Sequence, residues 1–189
     1  PGNTRFRYEL IHYNRNDGYN GLRQVMDAFT NQQGWQLQLQ LNHTQINTNT
    51  QKGYYFRPLA DIKKTFAQWR SVSVGARYSG EFNVQRLKQY DSLQTNSFGF
   101  HLFEYYIRSN ESKPNKWSLS YFRRRDQLPV GKFLQNADQS NNLKFTTELL
   151  RNEKRQARFS ITYRKLQLLN DLLSTQRADE NLLGRSEYL

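Results

Sequence analysis

The side chains that could bind a metal ion or catalyse a reaction are few in this chain of 189 residues. The three histidines, His12, His43 and His101, lie far apart, so none belongs to the closely spaced pair with which a helix binds zinc. There is no cysteine, which excludes disulfide bonds and thiolate metal ligands. No P-loop, dinucleotide-binding glycine motif, nucleophile elbow or EF-hand loop occurs. The sequence therefore predicts a protein without enzymatic activity, metal or cofactor.

Paired carboxylates are the remaining catalytic option, because two acids at a fixed separation can hydrolyse a glycosidic bond. Glu81, Glu104 and Glu148 lie in segments that alternate like β-strands, but no pattern brings two of them together. Acidic residues on strands commonly offset Arg and Lys residues on the neighbouring strand. We therefore expect these three glutamates to have that structural role.

Basic residues outnumber acidic ones by 28 to 16, which gives a formal net charge of +12. Such an excess occurs in proteins that bind nucleic acid, in proteins that bind an anionic membrane surface, and in soluble proteins that merely have a polycationic face. The densest run is Arg123-Arg124-Arg125, and on a strand Arg124 would point away from the other two. Tyr121 and Phe122 precede this run and could stack nucleobases. We predict that Arg123, Arg124 and Arg125 contact an anionic group, with lipid headgroups favoured over nucleic acid.

Alternation of apolar and polar residues along most of the chain predicts β-strands. From Ser71 to Phe82 one face carries Val72, Val74, Ala76, Tyr78 and Phe82. Residues 5–10, 35–41, 116–121, 143–149 and 157–164 alternate in the same way. A helix would scatter such residues around its axis. Turn-rich segments separate these stretches, at Asn14–Asn20, Asn47–Gly53, Ser109–Asn115, Asn136–Asn142 and Arg151–Gln156. The sequence thus predicts an all-β fold, an antiparallel meander of about nine strands.

Three segments are less regular. Ser97–Ile107 is apolar on both faces, which predicts a strand covered by another element. Tyr54–Phe66 contains Pro58, which cannot donate a ladder hydrogen bond and predicts an edge strand or a bulge. Gly21–Phe29 fits a short helix as well as a strand.

No linker or composition break divides the chain, so we expect residues 1–189 to form a single β-meander unit. No apolar run reaches the length of about 20 residues that a transmembrane helix requires. The chain starts with Pro1 and has no signal peptide, and residues 182–189 resemble the start of another strand. We therefore expect a fragment of a larger protein.

An apolar face on every strand must be shielded from water, and three arrangements achieve this. The face can contact lipid while the polar face lines a lumen, as in an outer-membrane barrel, or it can pack on a second sheet in a soluble sandwich. The face can also line a groove for apolar ligands. We expect the meander to be part of an outer-membrane β-barrel or of a large open sheet. The predicted lipid-facing or partner-facing side chains are Val72, Val74, Tyr78, Phe159 and Ile161. Lys165 continues the same face as Phe159 and Ile161, so in a barrel it would lie at the headgroup boundary.

Three stretches resemble segments of very large, β-rich envelope proteins of Bacteroidetes, namely Tyr55–Phe66, Phe159–Arg164 and Leu183–Tyr188. The resemblance implies a bacterial outer-membrane or periplasmic location and a parent chain several times longer. It brings no catalytic residues.

Together these features predict a non-enzymatic structural or transport segment of a bacterial outer-membrane β-barrel protein. A soluble periplasmic β-sheet scaffold or lipid-binding groove is the first alternative, and a basic nucleic-acid-binding domain is the second. The expected partners are outer-membrane lipid, other envelope proteins and the rest of the parent chain.

Overall fold

The structure, a computed structural model, describes residues 2–16, 18–67, 72–109, 115–152 and 155–169. These residues form nine β-strands and no α-helix. The strands are β1 (Asn3–Asn14), β2 (Asn20–Gln32), β3 (Trp35–Asn47), β4 (Gln51–Phe66), β5 (Val72–Leu87), β6 (Phe98–Arg108), β7 (Lys116–Val130), β8 (Phe133–Asn152) and β9 (Arg155–Leu168). The prediction of an all-β antiparallel meander of about nine strands is confirmed.

Each strand pairs with the next one in sequence, so the sheet has the order β1 to β9 without a crossover. Within the described residues β1 and β9 do not pair with each other, and the sheet is open. The predicted strand-like start at residues 182–189 lies outside the described residues, as does Ser71.

The tightest hairpins have two-residue turns with the expected backbone geometry. Gln33 and Gly34, between β2 and β3, both have positive φ angles of 51° and 79°, as a type I′ turn requires. Between β7 and β8 the turn is Gly131-Lys132, with a φ of 57° at the glycine. The predicted turn at Asn136–Asn142 is wrong, because these residues lie inside β8 and pair with β7 and β9. Their polarity reflects cross-strand partners of their side chains and does not mark a reversal of the chain.

The other irregular segments are now assigned. Residues 21–29 belong to β2, so this segment is a strand and not a helix. β6 carries apolar side chains on both faces, and the guanidinium of Arg124 lies over the ring of Phe100 at 4.1 Å. The prediction that another element covers β6 is wrong for the described residues, because Phe103 and Tyr105 are 38% and 55% exposed. The edge or bulge predicted from Pro58 is wrong. β4 lies between two strands, Pro58 pairs with Leu41, and the register to β5 continues past Pro58 without a shift.

The sheet has almost no apolar core. Among the described residues, the buried hydrophobic side chains are Val84, Tyr106 and Ala137. Six polar or charged residues are buried, which are Ser97, Glu104, Ser120, Asp126, Asp138 and Ser140. A water-soluble domain has the opposite distribution. Because the sheet has almost no apolar core, its candidate functional side chains lie on its two faces.

Candidate functional site

Successive rows of paired residues lie on opposite faces of the sheet, and the two faces differ in chemistry. Residues directly opposite each other in an antiparallel ladder lie on the same face. One row across seven strands consists of Leu37, Ile62, Ala76, Tyr105, Tyr121, Leu143 and Tyr163. The adjacent row, on the other face, consists of Gln38, Asp61, Arg77, Glu104, Phe122, Asn142 and Arg164. We call the face of the first row the apolar face and that of the second row the polar face.

Large hydrophobic side chains on the apolar face are open to the surroundings. Phe6 and Tyr163 are each 66% exposed, and Ile161 is 56% exposed. Exposed side chains of this kind occur on all nine strands except β2. Their combined extent far exceeds the apolar patches that monomeric soluble proteins usually expose.

The exposed apolar residues form a belt that runs obliquely across the strands. On β9 the belt is centred near Ile161, and on β1 it is centred near Tyr8. Following the paired residues from Ile161 across the sheet leads to Gln32 on β2, whereas the partner of Tyr8 is Met26, six residues away. A strand rises by about 3.3 Å per residue, and neighbouring strands lie about 4.8 Å apart. The displacement of six residues between β9 and β2 therefore inclines the belt by roughly 30° to the rows of paired residues.

Aromatic rings line the border of this belt on β3 to β6. Phe56 stacks on Phe82 at 6.2 Å, and the rings of Phe82 and His101 meet edge to face at 4.9 Å. His43 continues the row at 6.0 Å from Phe56. The hydroxyl of Tyr78 lies 3.0 Å from Nδ1 of His101. Two of the three histidines therefore belong to an aromatic row, and no cluster of His, Asp and Glu among the described residues could hold a metal.

Cationic side chains on the apolar face lie where the belt ends. On one border, Nζ of Lys64 donates to the carbonyl of Gln33 at 2.8 Å and lies 5.0 Å from the centre of the Trp35 ring. On the other border, Arg123 and Lys165 lie in one row, each paired with Asn141. The predicted position of Lys165 on the face of Phe159 and Ile161 is thus confirmed. Long basic side chains in such positions keep their apolar stems against the belt and their charge in a polar layer.

The predicted arginine run is divided between the two faces, as its spacing requires. Arg123 and Arg125 lie on the apolar face and both donate to Oε1 of Gln139, at 2.9 to 3.2 Å. Arg124 lies on the polar face, where Nε and Nη2 donate to Asp126 at 2.8 to 3.0 Å. The three side chains therefore cannot act as one anion-binding site.

Every carboxylate of the described strands lies on the polar face. The register places on this face Glu9, Asp27, Asp61, Glu81, Glu104, Asp126, Asp138 and Glu148. The three glutamates considered above have arginine partners across the strands: Glu81 with Arg57 at 3.0 Å, Glu148 with Arg158 at 3.4 Å, and Glu104 with Arg77 at 3.7 Å. Their predicted role in offsetting cations is confirmed.

The centre of the polar face is a connected cluster of ion pairs on β4 to β7. Nε of Arg77 donates to Asp61 at 2.8 Å, and Arg77 also approaches Glu104. Glu104, which is only 6% exposed, accepts further hydrogen bonds from Arg108 and from Ser120. Because each charge in this cluster has opposite charges or donors beside it, the cluster can remain ionised while shielded.

Tyr106 contacts both this cluster and the backbone of β5. Its hydroxyl donates to Asp61 at 2.8 Å, and the guanidinium of Arg108 lies 4.0 Å from its ring. The ring lies over Gly75 on β5, where a Cβ atom would overlap it. Gly75 is therefore needed here for the close approach of an aromatic ring to the strand.

The five residues predicted to meet lipid or a partner all lie on the apolar face. Val74 is paired with Ile107, Tyr78 with Phe103, and Ile161 with Phe145. Val72 is paired with Phe66, and Phe159 is paired with Thr147, toward the border of the belt at Lys64. The sequence analysis missed the aromatic row and the polar cluster, since both depend on strand register. The alternation of polar residues in 36–40 and 77–81 was the available signal.

Open depressions occur on both faces of the sheet. One on the apolar face has a volume of about 550 Å³ and is lined by Tyr8, Gln24, Met26, Leu41, His43, Gln45, Tyr54 and Phe56. One on the polar face has a volume of about 510 Å³ and includes Arg7, Asp27, Arg57 and Glu81. The first suits an apolar chain and the second a polar solute.

No protein family, curated protein or solved structure matches this chain. The resemblance to envelope proteins of Bacteroidetes thus remains a prediction, and its third stretch, Leu183–Tyr188, lies outside the described residues. In the part of the chain that the structure describes, no helix has the length and apolarity needed to cross a membrane.

Proposed function

We propose that this chain forms part of the wall of a bacterial outer-membrane β-barrel, with a structural or transport role and no catalytic activity. The apolar face contacts lipid, and the polar face lines the lumen. Strands of the same protein or of a partner extend the open edges at β1 and β9 until the wall closes. An open strand edge in lipid would leave backbone groups without hydrogen bonds, so closure is required.

The observation that carries this proposal is the inverted burial of the two faces. On the central strand β6, Tyr105 on the apolar face is 55% exposed, whereas its neighbour Glu104 on the polar face is 6% exposed. Burying one large apolar side chain contributes about 1.5–3 kcal/mol, so the open belt favours a non-aqueous environment strongly. Outer-membrane barrels combine an apolar exterior band with a polar interior in this way.

Strand length and belt inclination support the same arrangement. The shortest strand has 11 residues and the longest has 20. A tilted strand needs about 9–11 residues to cross the hydrocarbon layer. When strands tilt by about 35–45° in a barrel, the membrane plane crosses the hydrogen-bonded rows obliquely, and the inclination of the belt is comparable.

A soluble periplasmic sheet with a lipid-binding groove is the alternative, and the apolar depression beside Tyr8, Met26 and Phe56 favours it. In that arrangement a protein layer covers the rest of the belt. Nucleic-acid binding loses its main support, because the run Arg123 to Arg125 is divided between the faces and Arg124 is paired with Asp126.

Alkaline carbonate extraction of cell envelopes that contain the full-length protein separates these functions. We expect the protein to stay in the membrane pellet, as integral barrels do. Release into the supernatant would contradict the barrel and favour the soluble sheet.

A further inference from the structure

Two arginines on the apolar face share a single neutral acceptor at the border of the belt. Nη2 of Arg123 and Nε of Arg125 each lie 2.9 Å from Oε1 of Gln139. Neither arginine forms an ion pair with any residue that the structure describes. An amide oxygen carries no net charge, so the two guanidinium groups lie close together without neutralisation.

Among the described residues, no strand places a carboxylate on this side of the sheet, and the Asp91 carboxylate in the connection between β5 and β6 is paired with Lys52, Arg86 and Lys132. All eight Asp and Glu residues of the described strands lie on the polar face. Lys165 adds a third cation on the apolar face, in the row of Arg123 and Asn141 and two strands from Arg123. Two strands correspond to about 10 Å between Cα atoms, a distance that the two long side chains can bridge through one anion.

Arg124 provides the internal contrast. It belongs to the same run, but Asp126 accepts from it at 2.8 to 3.0 Å and Phe100 lies beneath its guanidinium. The sheet therefore neutralises the arginine on the polar face and leaves the two on the apolar face without a counter-ion. Immediately beyond them lies the belt, with Tyr121 two residues from Arg123 and Tyr163 two residues from Lys165.

We infer that Arg123, Arg125 and Lys165 bind the phosphate group of an anionic membrane lipid whose acyl chains lie along the adjoining belt. The inference rests on the proposed function, because it requires the apolar face to contact the bilayer. Guanidinium groups match the geometry of phosphate oxygens and form two parallel hydrogen bonds to them. A phosphate bound here would supply the counter-ion that no described residue provides to Arg123 and Arg125.

The test uses the full-length protein in a non-ionic detergent and fluorescent phosphatidylglycerol as the probe, with the dissociation constant measured by anisotropy. The site variant carries Arg123→Gln, Arg125→Gln and Lys165→Gln. The control variant carries Lys144→Gln, Arg158→Gln and Arg164→Gln, which removes the same charge from the polar face of β8 and β9. At about 1 kcal/mol per basic residue, we expect the site variant to bind on the order of 100-fold more weakly, and the control to bind as the parent protein does.

Equal affinity of the parent protein and the site variant would overturn the inference, as would equal weakening by the two variants. Inorganic phosphate in large excess should leave the lipid bound, and displacement would show a site for free phosphate. If the site variant fails to fold, Arg123→Lys with Arg125→Lys keeps the charge but loses the paired hydrogen bonds of the guanidinium groups, so this variant should keep part of the affinity. Loss of lipid binding in that folded variant would contradict a charge-based site. If alkaline carbonate releases the parent protein from the membrane, the proposed function is refuted. If the parent protein stays in the membrane but the site variant binds lipid with unchanged affinity, this inference alone is refuted.

Discussion

The two faces of this sheet obey opposite rules of burial. On the central strand β6, Phe103 and Tyr105 of the apolar face are 38% and 55% exposed, whereas Glu104 and Tyr106 of the polar face are 6% and 4% exposed. Neighbouring residues on this strand therefore have opposite exposure. The difference teaches that seven of the eight carboxylates of the polar face are paired with arginines within the sheet, whereas no described residue covers the large side chains of the apolar face.

The same comparison explains the distribution of charge. Cations occur on both faces, but the carboxylates of the described strands occur only on the polar one. Lys64 and Lys165 lie at the ends of the apolar belt, where the borders of a bilayer would be. Basic residues at such borders can extend into the headgroup layer, and carboxylates there would be repelled by anionic lipid.

A charge introduced at the middle of the belt should have the largest effect. Leu39 lies in the belt on β3, between Ala28 and Ala60, and its neighbour Gln38 lies opposite Asp61 on the polar face. We expect Leu39→Arg to destabilise the membrane-inserted protein by about 2–4 kcal/mol, since lipid cannot solvate the guanidinium. Gln38→Arg should be nearly neutral. Urea titration of the full-length protein in lipid vesicles measures both, and equal losses would contradict the assignment of faces.

Removing the shielded carboxylate should have the next largest effect. Glu104→Gln leaves Arg77 and Arg108 facing a neutral amide, and we expect a loss of about 1–3 kcal/mol, because a hydrogen bond to a charged group is lost. Glu9→Gln is the matched control, since the Glu9 side chain is 38% exposed and that of its partner Arg7 is 69% exposed. Such surface pairs contribute about 0–1 kcal/mol. The same titration would count against the polar cluster if the two substitutions had equal effects.

Filling the space beneath Tyr106 should have a comparable or smaller effect. A methyl group at Gly75 overlaps the Tyr106 ring, so Gly75→Ala should cost about 1–3 kcal/mol by overpacking. Tyr106→Leu removes the ring, and the double variant should therefore lose less than the sum of the two single losses. Additive losses in this double-mutant cycle would show that the ring and the glycine do not interact.

The smallest effect concerns the connection between β5 and β6, outside the strands. Lys132 donates to Asp91 at 3.3 Å, and this contact, with Lys52 and Arg86, lowers the pKa of the Asp91 carboxyl below 3.8. Because this pKa is lowered in the folded protein, the ionised carboxylate stabilises the connection at pH values above its ordinary pKa. That contribution is lost as the pH falls through the lowered pKa. The protection factors of the amides in residues 88–97, which correct the exchange rates for the intrinsic effect of pH, should therefore fall at acidic pH, and Asp91→Asn should remove that fall. Identical pH profiles for the two proteins would contradict the contact.

Much of the fold could be predicted from the sequence, because alternation with period two is a local property. The division of Arg123, Arg124 and Arg125 between faces and the position of Lys165 follow from the same rule. The errors arose where local composition misled. The polar stretch 136–142 is a strand whose Gln139 binds arginines, and Pro58 is accommodated inside the sheet without a register shift. The ion pairs that link Asp61, Arg77 and Glu104 were beyond prediction, since they join three strands and require the register.

The most direct test of lipid contact on the apolar face is a fluorescence scan along β9. The chain has no cysteine, so single-cysteine variants at positions 158–163 give one label each in this chain. The full-length protein is reconstituted in vesicles that contain lipids with nitroxide groups on their acyl chains. We predict strong quenching at Phe159, Ile161 and Tyr163 and weak quenching at Arg158, Ser160 and Thr162, with a period of two. Uniformly weak quenching along β9 would show that protein or water, and not lipid, covers the apolar face.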